Sequence, residues 1–217
     1  MITTFRASGI FRFAAAIVLM VLAMPLAVVA QERQAAPIAL TTMTAEDAIA
    51  AATESGGVLR FDVSEDAGMF VWDPDVAHDD GMPAYGTPFI TRAYIYPAGT
   101  LTESNGVNPD GSPEFPDQVL GEWICRGWFV GDGMRTTTGP MVVTSQVYNF
   151  GDGFGEAMIV TDGYELADVG VEIERAVTGG TGPFLGASGV ARQTLLGLNA
   201  TEGVNLRYEI ELVGSGL

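Results

Sequence analysis

Lysine is absent from the 217 residues, and histidine and cysteine occur once each. All ten basic residues are arginine, they face 27 acids, and the formal net charge is −17. A field of that sign repels phosphate backbones and anionic membrane surfaces, so nucleic acid is not an expected partner. The missing lysine reads as compositional bias, from GC-rich coding or adaptation to salt. With Cys125 alone no internal disulfide can form, and the fold must be held by its core. Within Trp123-Ile124-Cys125-Arg126-Gly127-Trp128-Phe129 that cysteine reads as a buried structural thiol. One histidine and one distant cysteine do not make the nitrogen and sulfur set of a zinc site. A Ser-His-Asp triad would have to use His78, and no Gly-x-Ser-x-Gly elbow surrounds any serine.

What is present begins with a targeting pattern. Arg6 and Arg12 precede an apolar run from Phe13 to Val29 that ends in Val28-Val29-Ala30, the order of a secretory signal. Cleavage after Ala30 is expected, giving an exported protein, periplasmic or extracellular, with no stable membrane insertion once the signal is removed. An uncleaved anchor is the alternative, because the run approaches spanning length, but Pro25 breaks it. The expected organisation is a signal peptide over 1–30, a lead-in with one short helix over 31–57, and a β-domain over 58–217.

Thr44 to Thr53 predicts that helix, with Thr44 as N-cap, Glu46 and Asp47 in the first turn, and an Ala-rich body stopped by Gly56-Gly57. Beyond Gly57 short apolar or alternating runs are separated by Gly, Asp, Asn and Pro, which predicts strands. They are expected at 58–63, 69–72, 88–96, 119–130, 141–150, 157–161, 168–177, 190–198 and 204–213. Alternation is clearest in the last, where Leu206, Tyr208, Ile210 and Leu212 share one face and Arg207, Glu209 and Glu211 the other. Many short strands with Gly-rich turns predict a barrel or sandwich. The long Pro-, Gly- and Asp-rich stretch from Pro97 to Gln118 reads either as a lid or partner surface or as a solvated connection.

Two motifs fail on context. Val177-Thr178-Gly179-Gly180-Thr181-Gly182-Pro183-Phe184-Leu185-Gly186 resembles a dinucleotide fingerprint, but it lies near the chain end, without the following βαβ elements such a site needs. Asp73-Pro74-Asp75-Val76-Ala77-His78-Asp79-Asp80-Gly81 is the densest acidic cluster. Ala77, His78 and Ala84 stand where an EF-hand needs a ligand, Gly and Glu, so Asp73, Asp75, Asp79 and Asp80 remain only an irregular calcium alternative to a solvated turn.

Val147-Tyr148-Asn149-Phe150-Gly151-Asp152-Gly153-Phe154-Gly155, then Ile159-Val160 and Gly163, then Ala176-Val177-Thr178-Gly179-Gly180-Thr181-Gly182 with Phe184, Gly186 and Gly189, resembles the allene oxide cyclase and dirigent barrel superfamily, here as an exported bacterial member. The resemblance is strongest over 147–193. It implies an all-β, calycin-like fold: an eight-stranded antiparallel barrel with an apolar cavity, assembled as a homotrimer and working without a cofactor. In that superfamily the barrel holds a reactive conformer away from water while it cyclises or couples. The position that resembles the carboxylate and amide of the plant cyclases reads Phe61-Asp62-Val63-Ser64, and local alternation with Leu59, Phe61 and Val63 turns Asp62 outward.

The leading expectation is a cavity that binds a small apolar metabolite and cyclises or isomerises it. Tyr94, Trp123, Gln146, Tyr148 and Tyr208 are its candidate lining, because aromatic rings with polar handles suit such pockets, and Asp62 and Arg126 are its candidate catalytic groups. The competing expectation is a non-enzymatic acidic envelope protein that meets a protein partner or calcium through its loops.

Overall fold

Period-two alternation produces nine strands in the computed structural model, which describes residues 40–53, 57–102 and 104–213. The expected signal segment 1–30 and the start of the lead-in lie outside the described residues. The strands are β1 (Leu59–Glu65), β2 (Val71–Trp72), β3 (Pro88–Pro97), β4 (Gly121–Phe129), β5 (Pro140–Phe150), β6 (Met158–Leu166), β7 (Glu172–Gly180), β8 (Gly189–Leu198) and β9 (Val204–Leu212). Consecutive strands from β3 to β9 pair antiparallel, β9 pairs with β1, and β1 pairs with β3. Eight strands therefore close into an antiparallel barrel, and β2 is a two-residue addition to β3. Closure pairs the strand edges that an open sheet would leave exposed.

Helix α1 (Ala45–Ala52) is built as its sequence dictates: Thr44 is the N-cap and accepts the Asp47 N–H, and Thr53 is the C-cap. Ala48, Ile49 and Ala52 are buried in the same core as Leu59 and Phe150, so the helix fills one end of the barrel. The Gly-Gly-Thr-Gly-x-Phe block works at that end too. Phe184 is buried, with its ring 5.9 Å from that of Phe150, and Thr181 accepts the Met158 N–H at 3.1 Å while donating to the Gly155 carbonyl at 2.7 Å. Gly182 has φ +55, and a Cβ there would stand 1.8 Å from the Glu156 carbonyl oxygen. The block is a close-packed plug.

Three segments depart from the expected pattern. Strand β6 continues past Thr161 to Leu166 because Gly163 is not a turn glycine; it faces Arg175, whose Cγ would lie 3.2 Å from an added Cβ. Strand β7 starts at Glu172 because Asp168 is occupied in a turn, accepting from the Thr138 hydroxyl at 2.7 Å and the Gly139 N–H at 2.6 Å. The stretch after Pro97 is tied down against the outer wall. Leu101 and Val107 are buried, Tyr96 donates to the Gly106 carbonyl and Tyr94 to the Gly111 carbonyl, each at 2.7 Å.

Candidate functional site

Because α1 and Phe184 fill one end, the space left inside the barrel lies at the other. There a cavity of about 470 Å³ opens between the ends of the strands and the turns that join them, a size usual for small-molecule sites. Val169 and Leu198 line it and are 62% and 51% exposed, which marks the mouth. Four aromatic rings crowd one wall: Phe70 stacks on Phe89 at 5.1 Å, Phe129 lies 5.2 Å from Phe89, and Trp72 lies 5.7 Å from Phe70. Trp123 and Cys125, on alternate inward positions of β4, lie deeper and are buried.

Among these apolar walls stand acids. Glu65 continues the inward phase of Leu59, Phe61 and Val63 and accepts the Val204 N–H at 2.9 Å. Burial, with Glu165 and Asp66 adding like charge, pushes its carboxyl up to about 7 despite opposing hydrogen bonds from Thr91 and Val204. Glu165, inward on β6, is held by three donors: the Thr144 hydroxyl at 2.8 Å, the Gln193 amide at 3.0 Å and the Cys125 thiol at 3.4 Å. Burial pushes the Cys125 thiol well up, with Glu165 adding to the effect, so the sulfur is a neutral donor and not a nucleophile. The buried Nε1 of Trp123 and Oγ1 of Thr136, both on cavity residues, have no hydrogen-bond partner.

Below the cavity the barrel is filled by a polar belt. Arg175, 2% exposed, donates to the Tyr164 carbonyl at 3.0 Å, to the Thr144 carbonyl and hydroxyl at 3.0 and 2.9 Å, and to the Thr161 hydroxyl at 3.2 Å. Burial opposes its charge, but Glu165 holds the guanidinium above its ordinary value, with the Thr144 hydroxyl bridging the two. Gln146 accepts from Tyr148 and from Tyr208, the latter at 3.0 Å, and donates to Gln193 at 3.2 Å, which in turn donates to Glu165. Burial raises both tyrosines, so they remain hydrogen-bond donors. A continuous chain of side chains thus runs from the barrel centre to the cavity floor.

Of the residues expected at the site, Trp123 lines the cavity. Gln146, Tyr148 and Tyr208 come together in the belt beneath it, where Phe61 stacks on Tyr208 at 5.3 Å and packs edge-on to Tyr148 at 5.3 Å. Tyr94 is on the outer wall, under the tied-down loop, and Arg126 is exposed on the outer face of β4. Asp62 also points outward, yet it is fully buried. Its oxygens accept from Arg207 at 2.8 and 3.1 Å and from the Gly99 and Leu101 N–H groups at 2.9 Å, which fastens the loop to the wall. Asp62→Ala is therefore expected to cost roughly 2 kcal/mol in urea unfolding, because buried N–H groups lose their acceptor. Ligand uptake by the folded fraction should be unchanged; a loss of uptake without a loss of stability would contradict the purely structural role.

In the acidic turn, Asp73 accepts the Asp75 N–H at 2.9 Å and Asp80 pairs with Arg135 at 2.8 Å. Among the described residues no three His, Cys, Asp or Glu side chains are grouped so as to hold a metal ion. Glu65, Glu165 and Arg175 were not singled out by the sequence reading; their one sequence signal is a charge in the apolar phase of a strand.

The architecture is thus an eight-stranded closed antiparallel barrel with a polar belt and one open, cavity-bearing end. No family model and no curated protein match the chain. Solved structures similar to it include "Pyocyanin demethylase", at 15% identity and TM-score 0.45 over 72% of this chain and 99% of that one. Two pterocarpan synthase dirigent proteins are also similar. PsPTS1 has 17% identity and TM-score 0.48 over 70% of this chain and 91% of its own, and GePTS1 has 17% and 0.49 over 70% and 81%. The likeness is one of barrel fold.

Proposed function

We propose that the protein binds a small, largely apolar molecule in the open-end cavity and cyclises or isomerises it without a cofactor, Glu65 carrying the proton. The observation that carries this reading is the cavity itself, about 470 Å³ of mostly apolar wall with the perturbed carboxyl of Glu65 among its lining residues.

A carboxyl raised to about 7 is near half-ionised at neutral pH, which suits a group that must take a proton and give it back. In an isomerisation the proton leaves one position of the substrate, resides on Glu65 and returns at another, so the step balances with no further reactant. Apolar walls exclude water and hold one conformer, lowering the entropic cost of ring closure.

Native mass spectrometry of protein purified gently from its own producing cells tests the binding step. The wild type is expected to retain a small apolar molecule. Ala167→Trp, which fills the cavity from its wall, should emerge folded and empty. Equal retention by the two would place the ligand elsewhere, and a wild type that is always empty and takes up no apolar probe would remove the reading.

A further inference from the structure

The charge and ring content of the cavity narrow the ligand further. This step rests on the binding reading above. Five aromatic side chains line the space, Phe70, Trp72, Phe89, Trp123 and Phe129, and so do three carboxylates, Glu65, Glu165 and Glu202. None of the described residues lining it is a lysine, arginine or histidine. Arg175 lies behind Glu165 and compensates that one charge, but it is 2% exposed and is not part of the lining. The two other acids retain no basic partner within the cavity wall. A chain with a formal net charge of −17 adds a field of the same sign.

Each ring face carries partial negative charge, so grouped faces attract a cation, most strongly where water is excluded. An anion would meet the opposite at every point: ring faces, carboxylates and the net field. A neutral hydrocarbon would fill the space but offer no counter-charge to Glu65 and Glu202, the two acids without a basic partner in the wall.

We infer that the cavity takes an organic cation, an aromatic or alkyl ammonium whose charge sits among the rings of Phe70, Trp72, Phe89 and Phe129 and faces Glu65 and Glu202. Such a ligand fits the proton transfer assigned to Glu65. A cationic nitrogen withdraws electrons from its neighbouring carbon and makes a hydrogen there easier for a carboxylate to remove.

Phenyltrimethylammonium and tert-butylbenzene have nearly the same shape and differ in charge, and 4-tert-butylbenzoate supplies the anion. Their binding to the full chain is followed through tryptophan fluorescence, to which Trp72 and Trp123 in the cavity respond. The ammonium compound is expected to bind at least tenfold more tightly than tert-butylbenzene, although the hydrocarbon is the more hydrophobic of the two, and the benzoate should not bind. Glu202→Gln, at an exposed position on the cavity rim, should weaken the cation three- to tenfold and leave the hydrocarbon unchanged. Equal or tighter binding of the hydrocarbon, tighter binding of the benzoate, or an unaltered cation affinity in Glu202→Gln would overturn the cation inference while leaving a ligand-binding cavity. If none of the three probes binds, the cavity reading fails with it.

Discussion

Replacing Arg175 by Met should lower the unfolding free energy by roughly 3–5 kcal/mol, the usual cost of stranding one member of a buried charge pair. The guanidinium is 2% exposed and makes four hydrogen bonds, two of them to backbone carbonyls at Tyr164 and Thr144. Its removal leaves those carbonyls short of a donor and Glu165 with no compensating charge in the interior. Methionine retains much of the volume, so the loss measures electrostatics and hydrogen bonding more than packing. Adding Glu165→Gln to Arg175→Met should recover part of the loss, because the stranded charge is gone while the one amide oxygen at 165 can still accept from Thr144 or from Gln193. Urea unfolding of the wild type, both single variants and the double variant gives the coupling directly. Additive effects, or an Arg175→Met loss below about 1 kcal/mol, would mean the belt is not held by this pair.

Arg175 and Glu165, together with Glu65, show where sequence is readable and where it is not. Thr44, Glu46 and Asp47 announce α1 through local chemistry alone, and the observed caps are Thr44 and Thr53. Alternation in β9 assigns its inward face correctly, since a half-buried strand has only two choices per residue. Closure of eight strands is not in the pattern, which allows a barrel or a sandwich; it is what the barrel resemblance implies. The charged belt is not in the pattern either, because an acid or arginine in a strand normally marks the wet face. Ser64-Glu65-Asp66 reads as the end of a strand, yet Glu65 keeps the phase of Phe61 and Val63 and is 6% exposed. Asp162-Gly163 reads as a turn, which cuts β6 before Glu165; the glycine is there to admit the Arg175 side chain. In Glu172-Ile173-Glu174-Arg175 only the phase shared with Val177 separates the buried arginine from its exposed neighbours. Which barrel end is open depends on what α1 and Phe184 fill, a tertiary fact with no local signature.

Glu65→Gln should raise stability, and by an amount that depends on pH in a defined direction. The carboxyl titrates near 4.5 in the unfolded chain and near 7 in the folded one, because burial disfavours its ionised form. Below about pH 4.5 it is protonated in both states and costs nothing. As pH rises from there toward about 7 the unfolded chain loses the proton while the folded protein keeps it, so stability falls; above about 7 both are ionised and the penalty is constant. A shift of that size is worth roughly 3 kcal/mol. Glutamine can still accept the Val204 N–H but cannot ionise. The variant should therefore match the wild type at pH 4 and exceed it by roughly 3 kcal/mol at pH 8, the difference opening across the intervening range. Taking the difference between the two proteins cancels the contributions of the other acids. A difference that stays flat with pH would show that Glu65 is not perturbed by its site, and would remove the reason for assigning the proton to it. A difference of the expected shape would mean that the barrel carries a sizeable destabilisation at neutral pH in order to keep a carboxyl inside its cavity. Proteins tolerate such a cost where the group serves chemistry or binding. An organic cation bound beside Glu65 should then draw its titration back down and shrink the same difference, which ties the stability measurement to the occupant of the cavity.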